Sequence, residues 1–359
     1  MAHIFNDSLD SHAAVADLAR KWDAAPTTSQ TLSTTTGRLG GVSLTGSSAT
    51  AQGILSKALP TPHCGVGQDT LFLSASIYML STPTNLRHLM SAVNTGPSST
   101  TGSNPAGTLD TWVCVGINVT GQLVLLRNNT VIATADMPLA LGAWLRVEMR
   151  VANIDDTGGT AEIRLNGVTV IDFTGDLYQV GPKSIYSASF HTSGSWRLDD
   201  PLIHNSAGST MNGFLGDLVM ETIRPTGPGT TTQSTPTGAA TAWQAVSEVV
   251  PNNDTSYAAI STVGSKDTYV YGDLTAGAAT ATVHAVVATM TARTPGMSPR
   301  KIAPVARLAG TETDGAPQAV LIEMTNAYRA EQTVLPRPGG GAWTAAEVNA
   351  AEFGWKVTQ

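Results

Sequence analysis

GAWLRVEMRVANIDDTGGTAEIRLNGVTVIDFTG, residues 142–175, reads as three antiparallel strands with their turns written in. In 144–151, Leu145, Val147, Met149 and Val151 share one face, and Trp144, Arg146, Glu148 and Arg150 share the other. A period of two is the mark of a half-buried strand. A Gly-Gly turn leads into 160–165, then Asn166-Gly167, then 168–173. Asn-Gly suits a two-residue hairpin because both turn positions need positive φ. Such a turn predicts Leu165 opposite Val168 and Ile163 opposite Val170, with all four on one face. A sheet that is apolar on one face only must pack against a second sheet.

The same pattern extends outward. In 112–119, Val113, Val115, Ile117 and Val119 fall on one face; Thr120-Gly121 turns into 122–126, and Arg127-Asn128-Asn129 into 130–134. Strands are also predicted at 71–80 (LFLSASIYML), 184–191, 196–204 and 214–223 (FLGDLVMETI). Many short strands separated by turn residues indicate an all-β sandwich or jelly roll. Val15, Leu18 and Trp22 fall at helical spacing, so 13–22 is a short helix or a strand. Residues 91–107 read as a surface loop.

At 359 residues the chain is about twice a typical domain, which favours two domains. PTGPGTTTQSTPTGAAT, residues 225–241, has no charged residue and reads as a linker. The expected organisation is therefore a jelly roll over 1–224, the linker, and a second β-sandwich over 242–359. Strands are predicted there at 268–271, 280–293, 301–309, 318–324, 329–334 and 353–357. Thr344 and Glu347 form a capping box that starts a short helix near 344–351.

Charged residues make up 13% of the chain, roughly half the usual share. A net charge of −7 gives no support to a nucleic-acid partner. No run is long and apolar enough to suggest membrane insertion, and the N-terminus shows no secretory signal pattern. Two cysteines, Cys64 and Cys114, are too few for a disulfide scaffold; they are either two buried thiols or one bridge. The chain has no CxxC, HExxH, GxSxG, Walker A or GxGxxG motif, and no Glu-x-Asp-x-x-Glu carboxylate set of the kind a sandwich glycosidase uses. Of the histidines, only His63 lies beside a cysteine, and adjacent strand residues point to opposite faces, so no zinc site is expected.

The candidate surface residues are Arg146, Glu148 and Arg150 on the polar strand face, together with the turn doublets Asp155-Asp156 and Asp199-Asp200. Glu148 between two arginines suggests cross-strand surface pairing. The doublets suit turn capping, or part of a calcium shell. Trp112, Trp144 and Trp196 are either packed or available to stack on sugar rings.

GAWLRVEMRV, GTAEIRLNGVTVIDFTG and the preceding VTGQLVLLRNNTVIATADMPLALGAW resemble the central strands of a laminin-G/concanavalin-like jelly roll. SWRLDDPLIHN and NGFLGDLVMETIRP resemble the closing strands of such domains in tailed-bacteriophage virion proteins. DSLDSHAAVADLARKWDA and GRLGGVSL are similar to the opening of those proteins, and DTSYAAISTVGSKDTYVYGDL and GAWTAAEVNAAEFGWKV to their companion domain. The resemblance implies a non-enzymatic structural protein on the virion exterior, assembled in the host cytoplasm: a fibre or decoration component of tail, neck or head. Its implied partners are other virion proteins and further copies of itself as a homo-oligomer. The alternatives are a carbohydrate-binding module that adsorbs to a host-surface glycan and, after that, a glycan hydrolase. The class often uses calcium, but its usual ligands have no residue-by-residue counterparts here, so no cofactor is expected.

Overall fold

The computed structural model describes all residues except 1–2, 26–29, 49–51, 98–111, 276–279, 295–299 and 321–327. It divides into two units, Met1–Met220 and Glu221–Gln359, both built almost entirely of β-structure.

The first unit carries fourteen strands: β1 His3–Asn6, β2 Gln30–Ser33, β3 Ser43–Gly46, β4 Gln52–His63, β5 Leu71–Met79, β6 Arg87–Val93, β7 Trp112–Ile117, β8 Gln122–Arg127, β9 Thr130–Pro138, β10 Trp144–Ala152, β11 Gly159–Leu165, β12 Val168–Gly175, β13 Ile185–Ser193 and β14 Trp196–Asn205. Their order is β12-β11-β10-β5-β14-β13-β6-β7-β8-β9, with β1 and β3 on β14 and β4 on β13. β13 and β14 share only the pair Ser193↔Trp196 beside their turn. The strand series therefore folds over at that point into two layers, and the fold is the jelly-roll-like sandwich expected.

The layers meet on the faces with apolar alternation. Leu71, Leu73, Ala75, Ile77 and Met79 of β5 and Leu145, Val147, Met149 and Val151 of β10 form one core with Val113, Val115 and Ile117 of β7 and Leu123 and Leu125 of β8. Each Val, Leu, Ile or Met among them contributes about 1.5–3 kcal/mol by leaving water. Val119 lies beyond the end of β7 and is exposed. The predicted helix at 13–22 is a 3₁₀ turn, Val15–Arg20, with Leu18 in the core. Of the expected loop 91–107, residues 91–93 belong to β6, and 98–107 lie outside the described residues.

The Asn166-Gly167 hairpin forms with both turn residues at positive φ. Leu165 pairs with Val168, but a bulge follows: Arg164 sits opposite Thr169 and Ile163 opposite Ile171. The extra residue shifts the pairing, so Ile171 is buried in place of Val170, and Val168 is exposed. The strand expected at 214–223 does not form. Its amides are spent on side-chain carboxylates, with Leu215 and Gly216 donating to Glu148 and Met220 to Asp200.

The second unit holds β15 Pro225–Thr232, β16 Thr235–Thr237, β17 Tyr257–Ala259, β18 Lys266–Tyr271, β19 Val287–Ala292, β20 Arg300–Leu308, β21 Thr311–Asp314, β22 Gln318–Val320, β23 Arg329–Val334 and β24 Glu352–Val357. The main sheet runs β15-β18-β24-β20-β21 with β22 on β20; β16–β17 and β19–β23 are separate pairs. Within the expected linker 225–241, residues 225–232 and 235–237 are thus strands. The chain there lies so close to Thr268 that a Cβ on Gly229 would stand 2.4 Å from its carbonyl oxygen. Side chains satisfy the irregular ladder: Thr230 N–H donates to Glu352, and Gln233 and Ser234 N–H to Asp267. The strand expected at 280–293 is confined to β19, and that at 318–324 is described only over β22. The helix α1, Ala345–Ala350, has its capping box, with Thr344 Oγ1 accepting from Glu347 N–H at 3.3 Å.

The bulge has a measurable consequence. Ile171→Ala is expected to lower stability by about 2–5 kcal/mol in urea denaturation. Val170→Ala should cost clearly less, and equal costs would mean that the unbulged register is the correct one.

Candidate functional site

The polar face of β5, β10 and β14 is organised by register into four rows. Trp144 pairs with Tyr78, Arg146 with Ser76, Glu148 with Ser74 and Arg150 with Phe72. On the other side of β5, Tyr78 pairs with Arg197, Ser76 with Asp199, Ser74 with Leu202 and Phe72 with His204. β11 adds Arg164 opposite Glu148 and Glu162 opposite Arg150. A bulge between Asp199 and Leu202, with Asp200 at φ 51°, turns both aspartates toward this face.

Five of the seven candidate residues therefore come together: Arg146, Glu148, Arg150, Asp199 and Asp200. They do not form the exposed surface expected. Arg146 is 1% exposed and Glu148 2%, because residues 206–220 run over them. Arg146 donates to Asp200 O at 2.8 Å, Ser74 Oγ at 2.6 Å and Ser76 Oγ at 3.3 Å. Glu148 Oε1 accepts from Leu215 N–H at 2.8 Å and Gly216 N–H at 3.2 Å, and forms no ion pair with its flanking arginines. The carboxylate that pairs with arginine is Glu162, 2.8 Å from Arg164 Nε and 3.5 Å from Arg150 Nη2. Arg38, not singled out in the sequence, ties the layer together. It reaches Ser76 Oγ at 3.1 Å, Leu218 O at 2.8 Å and Asp217 at 2.5 Å, and its N–H donates to Asp199 Oδ2 at 2.7 Å.

Burial governs the protonation of this layer. It lowers the Arg146 pKa to about 10, against the pull of Asp200 and Glu148. It raises Glu148, although the Leu215 amide, Arg146 and the Gly216 amide oppose the shift. Burial and the adjacent Asp200 charge raise Asp199 strongly; burial also raises Asp200, with Arg146 and Arg38 restraining it.

Row one is different, because Trp144, Tyr78 and Arg197 are all part-exposed. The Tyr78 and Trp144 rings meet edge-on at 5.7 Å, and the Arg197 guanidinium lies 5.1 Å from the Tyr78 ring centre. Arg197 has no ion-pair partner among the described residues. Trp112 and Trp196, the other tryptophans considered for sugar stacking, are fully buried. Tyr78 and Arg197 were within reach of sequence reasoning, since alternation places Tyr78 with Ser74 and Ser76, and Arg197 with Asp199. The missing information was the pairing of two strands more than a hundred residues apart.

Asp155 and Asp156 lie elsewhere, in the β10–β11 loop, bound to Lys183 at 2.7 and 3.1 Å. Lys183 engages one oxygen of each of these two, whereas main-chain amides and Ser76 engage the oxygens of Asp199 and Asp200. Cys64 and Cys114 are free buried thiols; Cys64 Sγ donates to Val151 O, whereas His63 bonds Asn205 and Thr61.

No family model matches this chain, and no curated protein does. Among solved structures it is similar to an endo-β-1,4-glucuronan lyase from the fungus Trichoderma reesei, at 13% identity and TM-score 0.40 over 56% of this chain and 95% of that one. It is similar to alginate lyase Aly36B at 12% identity and TM-score 0.36, over 56% of this chain and 95% of that one. A Trypanosoma rangeli sialidase gives 13% identity and TM-score 0.28, over 38% of this chain and 20% of that one, so the chain spans about a fifth of the sialidase. These neighbours are carbohydrate-active enzymes by name. That finding overturns the expectation of a non-enzymatic virion fibre or decoration protein. At such distance the likeness assigns no residue a role.

Asp199 gives a test by pH. A carboxyl whose pKa is raised by folding binds its proton more tightly in the native state, so its stabilising contribution is present at low pH and lost as pH rises toward the folded value, here about 9. Between pH 7 and 8 histidines that lose their protons in the unfolded chain oppose this trend, but they are common to the parent and to Asp199→Asn and cancel in the difference between them. The stability difference between parent and Asp199→Asn is expected to shift against the parent by roughly 1.4 kcal/mol across that unit in urea denaturation. An unchanged slope in the variant would show that Asp199 is already ionised when buried.

Proposed function

We propose that the first unit acts on an anionic glycan, a uronate-bearing polysaccharide, held against the row Trp144–Tyr78–Arg197. The part-exposed Arg197 without an acidic partner, stacked on Tyr78 beside Trp144, is the observation that carries this reading. A guanidinium presents paired donors that match a carboxylate, and aromatic stacking restrains it before the ligand arrives. Aromatic side chains bury the apolar C–H faces of sugar rings at low entropic cost. The row crosses three adjacent strands, β10, β5 and β14, so a rigid sheet holds its spacing.

The same arrangement suits processing of the glycan. Neutralising a uronate carboxylate stabilises the charge that develops when the adjacent C–H proton is removed, and elimination then opens the chain at the neighbouring glycosidic oxygen. Arg197 is placed for the first role. The Tyr78 hydroxyl, which lies toward Gly142, is assigned the proton balance: it gives its proton to the departing glycosidic oxygen as the resulting tyrosinate takes up the proton from carbon, so the hydroxyl is regenerated.

Titration calorimetry with oligoglucuronate tests the reading, with a neutral glucan oligomer as control. Arg197→Ala should weaken binding about tenfold or more and remove its salt dependence. Arg197→Lys should recover only part of the loss. Trp144→Ala should cost roughly three- to tenfold, and Tyr78→Phe should preserve binding while slowing release of unsaturated uronate product. Equal binding of the neutral oligomer, or no effect of Arg197→Ala, would overturn the assignment.

A further inference from the structure

Rows two to four lie beneath residues 206–220, which form no strand or helix. Phe214 holds this segment down: its ring meets Phe72 edge-on at 5.3 Å, and the Arg164 guanidinium lies 3.9 Å from its centre. Further anchors are the Leu215 and Gly216 amides on Glu148, the Met220 amide on Asp200, Arg38 on Leu218 O and Asp217, Asn6 Nδ2 on Met220 Sδ at 3.6 Å, and the Met211 backbone with His204. This segment leaves the face beneath it incompletely satisfied. Arg146 Nε and Glu148 Oε2 are buried without a hydrogen-bond partner, although both side chains are more than nine-tenths buried. A half-satisfied charged layer is costly in a stable interior, and it marks a surface whose donors and acceptors suit a different occupant.

We propose that residues 208–220 are a releasable cover over a built polar groove that continues the Trp144–Tyr78–Arg197 row, and that a longer anionic oligosaccharide displaces the cover to reach Arg146 and Glu148. The inference rests on the proposed function for its ligand, and on the cover's own contacts for its release. Once the groove is open, Arg146 offers Nε–H to a sugar carboxylate or hydroxyl, and Glu148 offers its free Oε2 to a sugar hydroxyl. One row is four backbone positions away from the next but one along β10, so successive sugars can run along the strand direction from Trp144 toward Arg150.

Hydrogen exchange on the full chain tests the cover without any ligand. The Leu215, Gly216 and Met220 amides are expected to exchange at least about a hundredfold faster than those of Met149 and Ile163 in the adjoining strands. Phe214→Ala should speed the first group roughly three- to tenfold and leave the second unchanged. The same variant should bind a uronate tetrasaccharide tighter by a similar factor and a disaccharide no differently. Cover amides as slow as strand amides in the unmodified chain, or a variant in which both groups accelerate together, would show a permanent part of the core. Unchanged tetrasaccharide affinity in Phe214→Ala, with the disaccharide still bound, would overturn the groove's continuation. If no uronate oligomer binds either protein, the row-one assignment fails, and the cover stands or falls on exchange alone.

Discussion

The pairing of β10 with β5 is the constraint on which the rest of the first unit depends. Eight consecutive pairs, Trp144↔Tyr78 through Val151↔Leu71, fix which residues face inward. Leu145, Val147, Met149 and Val151 are thereby committed to the core with Leu71, Leu73, Ala75 and Ile77. The intervening residues must form the outward rows. A slip of one position would bury Arg146 and Glu148 in the apolar layer and expose the core set, so the core itself enforces the geometry of the outer face. The site and the stability of the fold are set by the same register.

Two buried charge clusters show how differently such groups can be held. Asp7 is fully buried and accepts from four donors: Leu9 N–H, His12 Nε2, Lys21 Nζ and Trp22 Nε1, at 2.9 to 3.1 Å. Burial alone would raise its carboxyl, but Lys21 and His12 hold it far below the ordinary range. This knot pins the N-terminal segment and leaves the carboxylate nothing further to bind. Glu148 is equally hidden, yet only one of its oxygens is engaged, by main-chain amides of an irregular segment, and burial still raises its pKa. Satisfied burial reads as structure; incomplete burial under a loosely built cover reads as a site.

Local patterns were legible in the sequence wherever neighbouring residues decide the outcome. Alternation in 142–151, the Asn166-Gly167 turn and the Thr344–Glu347 capping box each depend on a few adjacent side chains, and each forms. The failures share a different cause. FLGDLVMETI has the apolar content of a strand, but Glu148 and Asp200, far away in sequence, take its amides. The Pro/Gly/Thr stretch after Arg224 has the composition of a linker, but Glu352, Thr268 and Asp267 supply acceptors that let it join a sheet. The bulge that exchanges Val170 for Ile171 adds one residue that periodicity does not register. Likewise, Arg146 and Glu148 were readable as outward-facing, while the segment that covers them was not. The virion reading rested on the order of loosely similar strands, an ordering that a sandwich can share across many functions.

Asp199 sits within a near-balance of charge on the polar face. Arg38, Arg146, Arg150, Arg164 and Arg197 bring five guanidiniums to it; Glu148, Glu162, Asp172, Asp200 and Asp217 bring five further carboxyls, and Asp10 acts on Asp199 from nearby. Burial and the Asp200 charge raise the Asp199 pKa well above the ordinary carboxylate range. Summed over the face the charges give no cationic excess, and the chain's net charge is −7. An anionic polymer repelled by the molecule as a whole would still meet a local attraction at row one, because interactions over a few ångströms outweigh those beyond a Debye length of about 8 Å in physiological salt. The bulge at Asp199-Asp200 thus does more than re-aim two side chains. It engages both carboxyls with main-chain amides and Ser76, and so leaves neither of them paired with Arg197 at the end of the face.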